Sequence, residues 1–300
     1  MNVAIIGEPN AGKSTLINRF VGSKVSAVSS KSHTTRKSTL GVTTIKNNQI
    51  CFLDTPGITD DSSRTTRELA QEAWDSLLDV DIVMLLVDSV KTIPGDKNLQ
   101  FIYENLKKKK SEHKEFPSCI LVLNKVDLFD KIPAEKKKPI IERFTRHFPD
   151  LTTVFSKVFS ISALNGKKVL DLQNWLTSQA KPRNWEYHPD VKTDQSELQI
   201  CEEIIREKIF KRINKEVPYA ITLQNVGWTY LPNGSLRIDE NILVKKPGHK
   251  KMVLGKSGKS IYGIIETASQ DIQAVLNRDV TLILNVKLDK SNNNNTDQLL

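Results

Sequence analysis

Along the first 180 residues, short apolar runs alternate with stretches whose apolar positions recur at helical spacing. The runs VAII (3–6), TTIKNNQICFLD (43–54), IVMLLVD (82–88), CILVLNK (119–125) and VFSIS (158–162) read as strands, the second as two strands around an Asn-Asn turn. Helical patterns fall between them, among them Lys13–Phe20, Glu68–Leu78 and Val169–Ala180. This alternation predicts an α/β unit over 1–180, a mostly parallel sheet with helices on both faces and ligands at the carboxyl ends of its strands.

From 181 to 195 the periodicity breaks in KPRNWEYHPDVKTD, which reads as a linker. Beyond it the order changes. A helix over Ser196–Ile213 places Cys201, Ile204, Ile205 and Ile209 on one face. Two strands follow (219–230 and 235–246) around the turn signal LPNG. Next come a short helix, a glycine loop, a longer helix over Lys259–Leu276 and an alternating strand, VTLILNVKL (280–288). The predicted order over 196–290 is α-β-β-α-α-β, an α+β unit, and SNNNNTDQLL (291–300) reads as a disordered tail.

Composition narrows the class. With 38% apolar and 26% charged residues the chain reads as soluble and globular, and its longest apolar run, IVMLLV, is far short of the ~20 residues of a membrane span. Peripheral membrane association stays open. Met1 stands directly on NVAIIG, already a strand, so no targeting segment is visible. Three scattered cysteines (Cys51, Cys119, Cys201) have no metal-ligand spacing and point to a reducing compartment. The formal charge of +9 favours a polyanionic partner. Two lysine runs, 107–114 and 135–139, read as solvated helix ends or loops, whereas the cluster from Lys245 to Lys259 flanks a glycine loop.

Candidate chemistry starts at GEPNAGKS (Gly7, Glu8, Pro9, Asn10, Ala11, Gly12, Lys13, Ser14), which satisfies G-x-x-x-x-G-K-[ST] between a strand and a helix that continues with Thr15. Its amides can wrap a phosphate at the helix N-terminus, Lys13 can reach the β- and γ-phosphates, and Ser14 can bind Mg²⁺. NKVD (Asn124, Lys125, Val126, Asp127) at the end of a strand separates guanine from adenine. Asp127 can accept from both guanine N1–H and the 2-amino group, a pairing whose loss costs a mismatched base a factor of ~10⁴. Asn124 would tie loops together and the stem of Lys125 would cover the base.

DTPG (Asp54, Thr55, Pro56, Gly57) ends another strand, with Asp54 placed to hold Mg²⁺ through water and the Gly57 amide to sense the γ-phosphate. Ser162, Ala163 and Leu164 follow the last strand, where amides near Ala163 can meet guanine O6. Thr35 in HTTR is the candidate to close over Mg²⁺, with Thr34 competing, so that Lys13, Thr35 and Gly57 carry the catalytic assignment. After Gly57 stands Ile58, where many GTPases carry the glutamine that orients the attacking water; hydrolysis is expected to be slow without outside help. Asn10 is a candidate ligand for a monovalent cation such as K⁺.

Gly-Lys-Ser recurs twice in LGKSGKS, but the glycine a phosphate loop needs five residues earlier is Val253 for one copy and Lys250 for the other. The stretch fits G-x-x-G instead (Gly255, Lys256, Ser257, Gly258) between two helices of an α-β-β-α-α-β unit. That is the KH arrangement in its second topology, whose loop clamps the backbone of about four single-stranded nucleotides. Lys245, Lys246, Lys250, Lys251, Lys256 and Lys259 surround it, and no acid lies between Asn241 and Ile265.

A phosphate-loop NTPase G domain followed by a KH domain resembles the Era GTPases. The resemblance runs from GEPNAGKSTLINRFVG, SHTTRKSTLGV and FLDTPGI through IIREKIFKRINKEVPYAI, ILVKKPGHKKMVLGKSGKSI and VTLILNVKL. It implies GTP and GDP as ligands, Mg²⁺ as cofactor, GTP hydrolysis, and a KH surface that binds the 3′ region of small-subunit rRNA during small ribosomal subunit assembly. HTTRKSTLGV and WEYHPDV are similar to the mitochondrial branch, which implies the mitochondrial matrix, with the cytoplasm of a bacterial-type cell as the alternative. A monomer is expected. The competing reading is a GTP-regulated RNA tether with little intrinsic hydrolysis.

Overall fold

A computed structural model describes residues 1–28, 39–55, 74, 77–91, 96–138, 142, 148, 150–214 and 216–289. The chain forms two compact units, Met1–Gln195 and Ser196–Leu300.

In the first unit the strands β1 (Asn2–Ile6), β2 (Thr39–Ile45), β3 (Asn48–Asp54), β4 (Ile82–Asp88), β5 (Ser118–Asn124) and β6 (Lys157–Ser160) form one sheet in the order β2-β3-β1-β4-β5-β6. Only β2 runs antiparallel, to β3. Alternate side chains along each strand serve different layers, as the pleat requires. Val3 and Ile5 pack with Leu16, Ile17 and Phe20 of α1 (Lys13–Val21) and Leu172 and Leu176 of a helix near the end of the unit, whereas Ala4 and Ile6 pack with Leu99, Ile102 and Leu106 on the other face. Among the described residues the other helices of this unit are α2 (Lys97–Glu112), α3 (Val126–Phe129), α4 (Leu151–Val154) and α5 (Val169–Gln179). β1 lies between β3 and β4: from β1 the chain crosses to β2 and β3 on one side and then from β3 to β4 on the other, so the order reverses at β1, and the crevice above its carboxyl end is where such sheets take ligands.

Three local expectations shift. β2 begins at Thr39 rather than Thr43, and the hairpin turns at Lys46-Asn47, with Ile45 opposite Asn48, rather than at Asn47-Asn48. The lysine run from Lys107 forms the exposed C-terminal end of α2, as expected of a solvated helix end, and is also tied to α4: Lys107 pairs with Asp150 at 2.7 Å, and Lys110 Nζ donates to the Thr153 and Val154 carbonyls. The segment 181–195, expected as a linker, is a strap along the open edge of the sheet. Gln49 donates to the Tyr187 carbonyl and accepts from the Glu186 and Tyr187 amides, and the Val42 amide of edge strand β2 donates to the Lys192 carbonyl. Tyr187 and Val191 cover Leu40, Val42 and Cys51, so the strap shields both the apolar surface and the unpaired edge. The helix expected over Glu68–Leu78 lies, apart from Trp74, Leu77 and Leu78, outside the described residues, as does the tail 291–300.

The second unit opens with α6 (Glu197–Arg212). Ser196 accepts from the Gln199 amide while the Gln199 side chain accepts from the Ser196 amide, a capping box that satisfies two otherwise orphan donors. β7 (Thr222–Tyr230), β8 (Leu236–Val244) and β9 (Val280–Leu288) form a sheet in that order, β7 antiparallel and β9 parallel to β8. The helices α7 (Pro247–Leu254) and α8 (Lys259–Leu276) lie between β8 and β9 in sequence. Val280, Leu282, Leu284 and Val286 alternate inward against Ile261, Ile264, Ala268 and Ile272 of α8 and the apolar face of α6. The order is α-β-β-α-α-β, as predicted, and the parallel β8–β9 pair is what two intervening helices allow.

Candidate nucleotide site and nucleic-acid interface

The loop Gly7–Gly12 leaves β1 and enters α1. Asn10 (φ +66°) and Gly12 (φ +101°) are both left-handed, which turns the loop sharply between β1 and α1. A Cβ on Gly12 would lie 2.3 Å from Asn124 Nδ2, so only glycine lets the base-site strand approach here. Lys13 is buried, its Nζ donating to the carbonyls of Gly7 and Glu8 at 3.0 Å each. Burial pushes its ammonium down to about 8 against the pull of Asp54 and Glu8. A cation so enclosed at a helix N-terminus favours an anion beside it. Glu8 is itself buried, and burial together with the Asp96 carboxylate raises it to about 7.

Asp54, fully buried, accepts at Oδ2 from Ser14 Oγ and from Ser26 Oγ, both at 2.7 Å. A carboxylate between two hydroxyls is a hard oxygen set that fits Mg²⁺. Among the described residues no group of three His, Cys, Asp or Glu could hold a metal; Ser14 and Asp54 would hold Mg²⁺ beside the phosphates of a nucleotide, the usual arrangement at nucleotide sites. The hydroxyl of Thr55 is turned away, donating to the Ile5 carbonyl at 2.8 Å. Thr35, Thr34, Pro56, Gly57 and Ile58 lie outside the described residues.

At the other end of the crevice Asn124 spans two loops. Its Nδ2 donates to the Ala11 carbonyl at 2.8 Å and its Oδ1 accepts from the Ala163 amide at 2.9 Å. The Ala163 amide expected near guanine O6 is thus bonded to Asn124 here. Ser162 Oγ donates to Asp127 Oδ1 at 2.5 Å and fixes the carboxylate. Lys125, left-handed at φ +65°, pairs with Asp88 at 2.7 Å, and the Val126 amide donates to the Ile161 carbonyl. Leu164 is 72% exposed and presents an apolar side chain beside these groups. The structure therefore brings together Gly7–Ser14, Asp54, Asn124–Asp127 and Ser162–Leu164 at strand ends of one sheet.

Several contributors have no sequence signal. Ser26 reaches Asp54 because Asn18 Oδ1 accepts from the amides of Val25 and Ser26 and its Nδ2 donates to the Ser26 carbonyl. Asp88 and Arg19 are likewise placed by tertiary contact alone.

In the second unit α7 ends at Gly255 (φ +73°), whose Cβ would lie 2.6 Å from that of Ser260, and a single 3₁₀ turn over Lys256–Gly258 leads into α8. Ser257 and Gly258 are left-handed as well (φ +52° and +75°). Lys245, Lys246, Lys251, Lys256, Ser257 and Lys259 are exposed and Lys250 is half-buried. Among the described residues none of these lysines pairs with an acid. Unpaired, solvated ammonium groups around a tight glycine turn at a helix N-terminus suit a chain of phosphates.

Residues 2–125 match the family of 50S ribosome-binding GTPases, and 204–293 match the KH domain. The chain is 37% identical over 286 residues to GTPase Era of Mesorhizobium japonicum, covering 95% of this chain and 87% of that protein. It is 36% identical to the GTP-binding protein ERG of Arabidopsis thaliana, covering 96% of this chain and 65% of that one. A crystal structure of Era in complex with MgGDPNP and nucleotides 1506–1542 of 16S ribosomal RNA superimposes with a TM-score of 0.81 at 32% identity, covering 96% of this chain and 93% of that one. A tyrosine-to-alanine variant of Aquifex aeolicus Era bound to GDP·AlF4⁻ gives the same TM-score at 30% identity, again with 96% and 93% coverage.

Proposed function

The chain belongs to the Era family of GTPases, and from that membership we propose that it is a GTP-hydrolysing RNA chaperone that holds small-subunit rRNA, near its 3′ end, on its KH unit during small ribosomal subunit assembly. The observation that carries the proposal is the pair of glycine loops on one chain. One has its lysine buried at the carboxyl end of a sheet, the other is ringed by lysines in solvent.

In this reading the amides of Gly7–Ser14 enclose the β-phosphate and Lys13 leaves the Gly7 and Glu8 carbonyls for the β- and γ-oxygens, where negative charge gathers as the terminal bond breaks. Ser14, Thr35 and Asp54 would hold Mg²⁺, which would neutralise charge on the phosphate chain. Thr35 and the Gly57 amide respond to the γ-phosphate. Asp127, oriented by Ser162, reads guanine N1–H and the 2-amino group; Lys125, held by Asp88, covers one face of the base. Ile58 cannot orient water, so intrinsic turnover is slow, and Asn10 recruits K⁺ to add positive charge near the phosphates. Equal turnover in K⁺ and Na⁺ removes Asn10 from that role. The protein acts as a monomer, and its compartment is the mitochondrial matrix, a placement supported by the segments 33–42 and 185–191.

Single-turnover hydrolysis of GTP with and without rRNA, together with cross-linking in cells and sequencing of the bound RNA, tests the proposal. Cleavage and recovery of small-subunit rRNA are expected; the rRNA's own sequence identifies the compartment. GTP left intact under both conditions would reduce the protein to an RNA tether.

A further inference from the structure

Arg19 is called for by no motif, yet beside the Asn124 bridge it is a second brace on the base loop, tying it to the helix that follows the phosphate loop. It sits in the last turn of α1, six residues after Lys13, about 9 Å along the helix axis. Its Nε donates to the Ala163 carbonyl at 2.6 Å and its Nη2 to the Leu164 carbonyl at 2.5 Å. Room for the guanidinium comes from Gly166 (φ +85°), where a Cβ would stand 2.8 Å from Nη1. Among the described residues Arg19 forms no ion pair, so both its bonds to protein go to this one loop. Ala163 is thus held from both sides, its amide by Asn124 and its carbonyl by Arg19.

We propose that Arg19 is a positioning residue for guanine recognition: its two-pronged grip on the Ala163 and Leu164 carbonyls holds the base loop in register with the helix that carries the phosphate-binding lysine. The inference rests on the reading of Asp127 and Ser162–Leu164 as the base site. The planar fork matters because two carbonyls in sequence present acceptors that one guanidinium can meet together, whereas an ammonium meets one of them well. Freed of Arg19, the loop samples other arrangements, and the base must order it again on binding. The phosphates, bound at the opposite end of α1, do not share that cost.

The test measures release of a fluorescent GDP from the full chain carrying Arg19→Ala or Arg19→Lys, alongside displacement by inorganic tripolyphosphate and thermal unfolding. Loss of charge-assisted hydrogen bonds of this kind predicts GDP release accelerated about tenfold in Arg19→Ala and only a few-fold in Arg19→Lys, with tripolyphosphate affinity unchanged. GDP release at the wild-type rate overturns the proposal, and so does an equal loss for GDP and tripolyphosphate, which marks a general structural role. Should Arg19→Ala fail to fold, Arg19→Lys carries the comparison. In parallel, Asp127→Asn separates this inference from the reading beneath it. If that variant leaves GDP affinity unchanged, the base-site assignment falls; if it shifts preference to xanthosine diphosphate while Arg19→Ala releases GDP normally, only the role of Arg19 falls.

Discussion

Gly7–Ser14 and Gly255–Lys259 share the tripeptide Gly-Lys-Ser, a left-handed glycine and a helix N-terminus, and they differ in where the lysine goes. Lys13 is buried, bonded to two carbonyls and pushed toward neutrality by its surroundings. Lys256 and Lys259 stand in solvent beside further unpaired lysines. A buried cation with fixed partners admits one phosphate geometry, whereas a ring of solvated cations admits any phosphate chain that follows the surface. Burial, not the tripeptide, divides nucleotide binding from RNA binding.

The largest effect that sharpens this contrast is on hydrolysis. Lys13→Ala removes the cation that meets developing charge, and single-turnover GTP cleavage should fall by roughly 100-fold or more while RNA affinity stays within about twofold. Gly255→Asp with Gly258→Asp does the converse. Two carboxylates placed against phosphates should weaken RNA binding on the order of 100-fold in a filter or anisotropy assay, with GDP affinity unchanged. Salt separates the loops next. If four lysines each meet a single-stranded phosphate, RNA affinity should drop roughly fifty-fold between 50 and 200 mM salt. Each Lys→Ala at Lys245, Lys246, Lys256 or Lys259 should lower the log–log slope by about 0.7.

Much of this division is legible in the sequence, and its limits are physical. Phosphate-loop spacing is local, so the consecutive φ/ψ choices from Gly7 to Lys13 are encoded side by side, and the alternation in 280–288 announces a strand with one face buried. The partners of those residues are encoded nowhere near them. Ser26 and Asp54 are 28 positions apart, Lys125 and Asp88 are 37 apart, and Arg19 meets Ala163 across 144. Periodicity misses the strap for the same reason: the proline-broken run 181–195 has no pattern of its own because its conformation is dictated by Gln49 and the edge of β2. Thr55, part of the motif by spacing, commits its hydroxyl to the Ile5 carbonyl, a contact no motif could reveal.

Smaller effects sharpen the picture within each unit. Asp88→Ala frees Lys125 from its 2.7 Å ion pair and should accelerate GDP release several-fold, about what a partly buried charge-assisted bond contributes, with no change in RNA affinity. Glu8 and Glu240 are both raised by burial from an ordinary 4.5 to about 7. The proton each takes up on folding stabilises its unit fully below about pH 4.5, and that contribution is lost as the pH rises through 7. Glu8→Gln should therefore flatten the decline in stability of the nucleotide-binding unit across that window, and Glu240→Gln should do so for the KH unit, each read by denaturant unfolding at a series of pH values.

The central claim, that the two Gly-Lys-Ser loops hold different ligands, is tested most directly by the number of nucleotides the full chain binds when RNA is also present. Equilibrium dialysis of labelled GDP against the protein, before and after saturation with rRNA, should give one GDP per chain in both cases. Two GDP per chain, one of them displaced by RNA, would contradict it.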